Sequence, residues 1–183
     1  MIIDELITDR TQADLERIKT LSQKSFEQMT MAEQLEWLNG SIKTLSSADG
    51  VLRASDKAVE CYNGIIKGAY NINDLNRVGT AIKYVENILH EYGYTIHTNP
   101  KTDWVKYDIP TLEQLNKLIE DVETCRAKLQ LAPSVPTTPM SMEHLTIEIA
   151  NNIEKILQAV YNTLMNIVES MIVYSGDIFC GEV

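Results

Sequence analysis

Apolar residues recur along most of this chain at the three-and-four spacing of a helix face, and the breaks in that spacing mark where elements begin and end. After an extended arm over residues 1–8, Leu15, Ile18 and Leu21 predict a helix of about four turns behind the capping box Thr11-Gln12-Ala13-Asp14. A second box, Thr30-Met31-Ala32-Glu33, opens a helix with Met31, Leu35, Leu38, Ile42 and Leu45 on one face. Ala48-Asp49-Gly50 is a turn signal, and Ser55-Asp56 starts a shorter helix facing inward through Val59, Tyr62, Ile65 and Ile66. Leu75, Val78, Ile82, Val85, Ile88, Leu89 and Tyr92 form the cleanest stripe, with Gly93 as C-cap.

Residues 94–109 break the helical period. Tyr94-Thr95-Ile96-His97-Thr98 has strand propensity and Asn99-Pro100 turns the chain, which predicts a strand or an extended crossing. Thr111 and Gln114 then cap a helix with the stripe Leu115, Leu118, Ile119, Val122, Cys125 and Leu129. Three prolines within 132–140 make a stiff segment, read as a strap across a bundle in preference to a domain linker because the last helix is too apolar to stand alone. That last helix, capped by Ser141, carries apolar residues from Leu145 to Ile172 over more than eight turns, roughly 45 Å at about 1.5 Å per residue. Tyr174 to Val183 reads as an extended tail. The expected fold is mainly α: one helical domain over 1–183, a bundle of about five to six helices with a long C-terminal helix and short extended or β terminal arms.

The run Tyr70-Asn71-Ile72-Asn73-Asp74-Leu75-Asn76-Arg77-Val78-Gly79 stands out because five polar or charged side chains crowd one helix start. Asn73 is the expected N-cap, and Asp74 sits where the helix dipole favours negative charge. Arg77 is expected to pair with a carboxylate on another helix, since its planar fork matches carboxylates. The competing reading is a recognition patch. The structural and interaction candidates are Tyr70, Asn73, Asp74, Asn76, Arg77, Trp104 and Tyr174.

Charge narrows the function. The net charge is −10, and from Ser141 onward Lys155 is the single base against Glu143, Glu148, Glu154, Glu169, Asp177 and Glu182. Such a segment repels phosphate backbones, so nucleic acid is not an expected partner. Its acids read as a solvated helix face or a surface for a basic partner. Cys61, Cys125 and Cys180 match no metal or redox spacing and read as reduced thiols, with Cys61 and Cys125 as core fillers. The acidic start lacks the pattern of a signal peptide, and Leu145 to Val173 is too often interrupted by polar residues to cross a membrane.

Chemistry is sparse. His90, His97 and His144 show no conspicuous metal-ligand spacing, and no phosphate loop, zinc-protease motif or nucleophile elbow occurs. Glu120-Asp121 with Glu123 reads as a solvated helix face. No catalytic, cofactor or metal role is expected of any residue.

Several runs, in order, resemble a family of phage and prophage structural proteins encoded among tail and baseplate components. They are Leu6 to Asp14, Met29 to Glu33 with Glu36-Trp37, Lys67 to Asn71, Asp74 to Val78, Lys101 to Trp104 with Asp108 to Thr111, Asn151 to Leu157, and Tyr174 to Phe179. The family pattern joins Trp37 to Lys67 by a short turn, whereas about thirty residues intervene here, an insertion at about 39–66. The resemblance implies a component of a tail, baseplate or fibre attachment, not an enzyme. It implies partners among other phage structural proteins or further copies of the chain, and a path from the bacterial cytoplasm into a virion or phage-like particle. The alternative is a cytoplasmic helical adaptor or regulatory domain that binds a basic protein or peptide.

Overall fold

A computed structural model describes residues 1–23, 26–33, 70–105 and 108–177. The chain is mainly α-helical. The elements are α1 (Gln12–Ser22), α2 (Ile72–Glu91), α3 (Leu112–Arg126) and α4 (Ile147–Asp177), with short 3-10 turns at Ile2–Glu5 and Phe26–Gln28. Residues 31–33 are also helical, and no strand occurs among the described residues. The insertion at 39–66 and its expected helices lie outside the described residues. Contacts divide the chain into two compact units, Met1–Thr8 with Leu75–Val183, and Asp9–Asp74.

Within the Leu75–Val183 unit the stripe residues form the core. Val78, Ile82, Val85 and Leu89 of α2, Val122 and Cys125 of α3, and Ile153, Ile156, Leu157 and Val160 of α4 are buried essentially completely. Removing such side chains from water drives assembly at roughly 25 cal/mol per Å² of apolar surface. α3 packs on α4, and the Ile2–Glu5 turn packs on α4 as well. The arm expected to be extended therefore opens as a 3-10 turn, with Ile3 buried, and runs extended only from Leu6.

Local chemistry sets most boundaries. At α1, the Thr11 N–H donates to Asp14 Oδ2 (2.7 Å) while the Asp14 N–H donates back to Thr11 Oγ1 (3.3 Å). Thr30 with Glu33 and Thr111 with Gln114 repeat that box. Met31, expected on an inner face, is exposed, and Met29 just before the cap is buried instead. α2 ends on Gly93 at φ 87°, where Gly93 N–H bonds His90 O and Tyr94 N–H bonds Leu89 O. This is a Schellman ending, and it leaves Tyr92 exposed in the turn, off the stripe that the sequence assigned to it.

Two helix starts differ from expectation. α2 begins at Ile72, so its cap is Asn71 and not Asn73. Asn71 Oδ1 accepts the Asn73 N–H (2.8 Å), and Asp74 Oδ2 reaches back to the Asn71 N–H (2.7 Å). That reciprocal pair moves the start two residues earlier and leaves the Asn73 side chain exposed. α4 begins at Ile147, capped by Thr146, whose Oγ1 accepts the Ile149 N–H (3.1 Å). Ser141 caps only a local turn, accepting the Glu143 N–H (3.0 Å), because Asn116 Oδ1 of α3 holds Ser141 and Met142 in place. Leu145 is consequently outside the helix. At the other end α4 continues through Asp177, so Tyr174 to Asp177 are helical where an extended tail was expected.

The strap after α3 lies wholly inside the Leu75–Val183 unit. A turn closed by the Val135 N–H on Ala132 O bends it, and the Thr138 hydroxyl donates to Glu123 of α3.

Candidate functional site

The crowded run disperses into separate ties. Its first part lies in the Asp9–Asp74 unit. There Arg10 Nη2 meets Asp74 Oδ1 at 2.9 Å, with both side chains almost fully buried. The Arg10 guanidinium also lies over the Tyr70 ring, 5.4 Å from its centroid, a cation–π geometry. Asp74 thus serves three purposes: it closes the capping box, places negative charge at the positive end of α2, and neutralises a buried arginine.

The second part lies in the other unit. Arg77 forks onto Glu154 of α4, with Nη2 2.9 Å from Oε1 and Nε 3.2 Å from Oε2. Glu154 is fully buried, and its Oε2 also accepts the Ile7 N–H at 2.5 Å. One carboxylate therefore ties the N-terminal arm and α2 to α4. Glu154 was counted among the solvated acids of the C-terminal third. It belongs instead to the inner face, in helical register with Ala150 and Leu157, where its charge is balanced by the guanidinium.

Asn76 clamps the crossing after α2. Its Nδ2 donates to Trp104 O (2.9 Å) and its Oδ1 accepts the Trp104 N–H (2.8 Å), so a side-chain amide stands in for a strand partner. Tyr94 to Trp104 carries no regular secondary structure. The crossing passes so close to α2 that a Cβ at Gly79 would lie 2.6 Å from Lys101 O and 3.2 Å from Thr102 Cγ2. Glycine is required there for close approach and not for its backbone angles.

Beside the clamp is a cleft of about 300 Å³ lined by Leu75, Lys101, Trp104, Leu115, Lys117 and Glu120 among others. Lys101, Lys117 and Glu120 of its lining are paired within the chain. Lys101 Nζ lies 4.2 Å from the Trp104 ring centroid and 2.8 Å from Asp108 Oδ2. The Lys101 hydrogen bond, with help from the Val105 N–H, holds the Asp108 carboxyl below the usual carboxylate range. Lys117 Nζ reaches both Glu120 and Asp121 at 3.3 Å. Asp121, assigned to a solvated face, is in fact fully buried, and burial pushes its carboxyl up. Burial likewise raises the Cys125 thiol to about 12, with the Glu86 and Asp121 carboxylates adding to the effect.

One group escaped the sequence reading. Glu86 and His90 stand one turn apart on α2, and the Gly93 turn brings His97 back against them, so that a ligand atom from each lies within 4.8 Å of the others. The i,i+4 spacing of Glu86 and His90 was the available signal.

Of the predicted residues, Asn76 and Trp104 come together, as do Tyr70 and Asp74 through Arg10. Asn73 points to solvent, and the Tyr174 side chain lies outside the described positions.

The far end of α4 has a different character. From residue 165 to 171 no side chain is buried, although Met165, Ile167, Val168 and Met171 are apolar, and Ile167 and Met171 are 38% and 67% exposed. No helix among the described residues is long and apolar enough to cross a membrane. Comparison with protein-family models, with curated proteins and with solved structures finds no match.

Proposed function

We propose that the chain is a structural and interaction component of a prophage tail, baseplate or fibre-attachment assembly, with no catalysis of its own. The observation that carries this reading is how the polar run is used. Arg10, Asp74, Arg77 and Glu154 all fall in the runs that resemble the phage family, and all are engaged in buried ion pairs. In these three runs the charged residues anchor the fold, as expected of a building block. The unburied apolar end of α4 supplies a contact surface of the kind that neighbouring subunits cover.

The other reading, an adaptor for a basic ligand, draws on the exposed acids Glu143, Glu148 and Glu169. Light scattering across a protein dilution series, at about 0.1 M and about 1 M salt, separates the two. An assembly component packed through apolar surface associates to multiples of 20.7 kDa or binds a neighbouring-gene product, and holds at high salt. Charge-driven binding collapses as the Debye length shrinks from about 10 Å to about 3 Å. A strict monomer that binds only a basic peptide, and only at low salt, would overturn the assembly reading.

A further inference from the structure

We propose that Glu86, His90 and His97 form a binding site for a first-row divalent cation, with Zn²⁺ the best match to its donors. Two imidazoles and a carboxylate are the ligand types of zinc sites that keep an open position, and they also suit other transition ions. Two of the three come from one helix face, at i and i+4, and the third is delivered by a turn whose geometry is fixed by Gly93. The ligand atoms lie within 4.8 Å of one another. In a tetrahedral zinc site with bonds of about 2.1 Å, ligand atoms are roughly 3.4 Å apart. Closing a gap of at most about 1.4 Å is within reach of two imidazoles that are both exposed and not packed in the core.

The surroundings match what metal ligands need. A ligating carboxylate is normally held by hydrogen bonds of its own, and a ligating histidine normally presents its other ring nitrogen to a carbonyl. Thr98 supplies the first: its N–H donates to Glu86 Oε1 (3.0 Å) and its hydroxyl to Oε2 (2.6 Å). These bonds take two of the carboxylate's four or so lone-pair positions and leave the others for a cation. Ile96 O supplies the second, 2.7 Å from His90 Nε2. The Ile96 N–H lies 3.3 Å from the same nitrogen, so Ile96 brackets it from both backbone groups, and the tautomer sets which ring nitrogen offers its lone pair. The His97 ring stands edge-on to the His90 ring, not stacked on it, with centroids 6.1 Å apart. Three protein ligands leave at least one coordination position for water or for a donor from another molecule. The site does not depend on the assembly reading, since its residues belong to the α2 turn and not to the end of α4.

The test uses the full chain, stripped with a chelator and kept reduced, titrated with Zn²⁺ in a calorimeter and with Co²⁺ in a spectrophotometer. The expected result is one ion per chain and a Co²⁺ spectrum without the charge-transfer band of a thiolate. His97→Ala and Glu86→Gln should each weaken binding by at least about tenfold. Thr98→Val, which alters no ligand, should weaken it measurably. His144→Ala and the Cys61→Ser/Cys180→Ser pair should leave it unchanged. Circular dichroism confirms that each variant is folded, and His97→Gln replaces His97→Ala if the latter is not. Absence of binding, affinity unmoved by His97 substitution, or affinity lost with the cysteines would each overturn the proposal.

Discussion

Replacing Arg77 with alanine tests a buried tie between α2 and α4. The guanidinium makes two charge-assisted bonds to Glu154, which is fully buried and also accepts the Ile7 N–H. Arg77→Ala removes the guanidinium and both of its bonds to this buried carboxylate. Breaking a buried pair from one side costs about 3–5 kcal/mol, because the remaining charge is uncompensated. Native domains are stable by only about 5–15 kcal/mol, so the variant should be severely weakened. Arg77→Lys should fall between, since a point charge cannot occupy both oxygens of a carboxylate as a planar fork does. Replacing both partners, as Arg77→Met with Glu154→Leu, removes that carboxylate and should recover part of the loss, the Ile7 N–H then lacking this acceptor. Urea denaturation followed by circular dichroism at 222 nm, run as a complete double-mutant cycle, gives each value. A single variant within about 0.5 kcal/mol of wild type, the range of ordinary surface substitutions, would refute the reasoning. So would a double variant as unstable as the single one.

Close packing carries three smaller predictions. Gly79→Ala gains about 1 kcal/mol of helix propensity, but its Cβ meets the Lys101 carbonyl oxygen at 2.6 Å, and such overpacking costs about 1–3 kcal/mol. The net result in urea denaturation should be a loss of stability, and a gain would show that the crossing is free to move away. Cys125 should resist thiol reagents at pH 8 in a Cys61→Ser/Cys180→Ser background until urea unfolds the chain, and rapid native labelling would contradict its burial. The sign of its pH effect follows from linkage: the folded value of about 12 lies above the ordinary 9.0. Its contribution is therefore fully present below pH 9 and is lost as pH rises from about 9 toward about 12, so a Cys125→Ala variant should show a shallower alkaline decline.

The parts of this fold legible in the sequence are those governed by residues three or four apart. The boxes at Thr11, Thr30 and Thr111 and the glycine ending at Gly93 need nothing beyond their own turn, and each forms as the spacing predicts. Where two local solutions compete, the sequence underdetermines the outcome. Asn71 and Asn73 are both good caps, and the reach of Asp74 back to Asn71 decides between them. Ser141 and Thr146 compete in the same way, and a side chain twenty-five residues away, Asn116, settles the matter. Glu154 and Asp121 show a second limit. A carboxylate on an amphipathic helix is usually solvated, so its place in the inner register is visible but its burial depends on a partner, such as Arg77, supplied by another element. The Glu86, His90 and His97 group is of the same kind: the i,i+4 pair lies in the sequence, but the third member arrives only through the turn.

The claim that binds these observations together is that the polar run anchors the fold while the end of α4 makes the contacts. Co-expression of the full chain with the products of the genes that flank it, followed by affinity purification at about 1 M salt, measures this directly. The account predicts a stoichiometric partner that is retained in Asn73→Ala, where an exposed member of the run is removed, and lost in Met171→Lys, where charge enters the apolar helix end. No partner in any combination, or a partner lost with Asn73→Ala and retained with Met171→Lys, would contradict it.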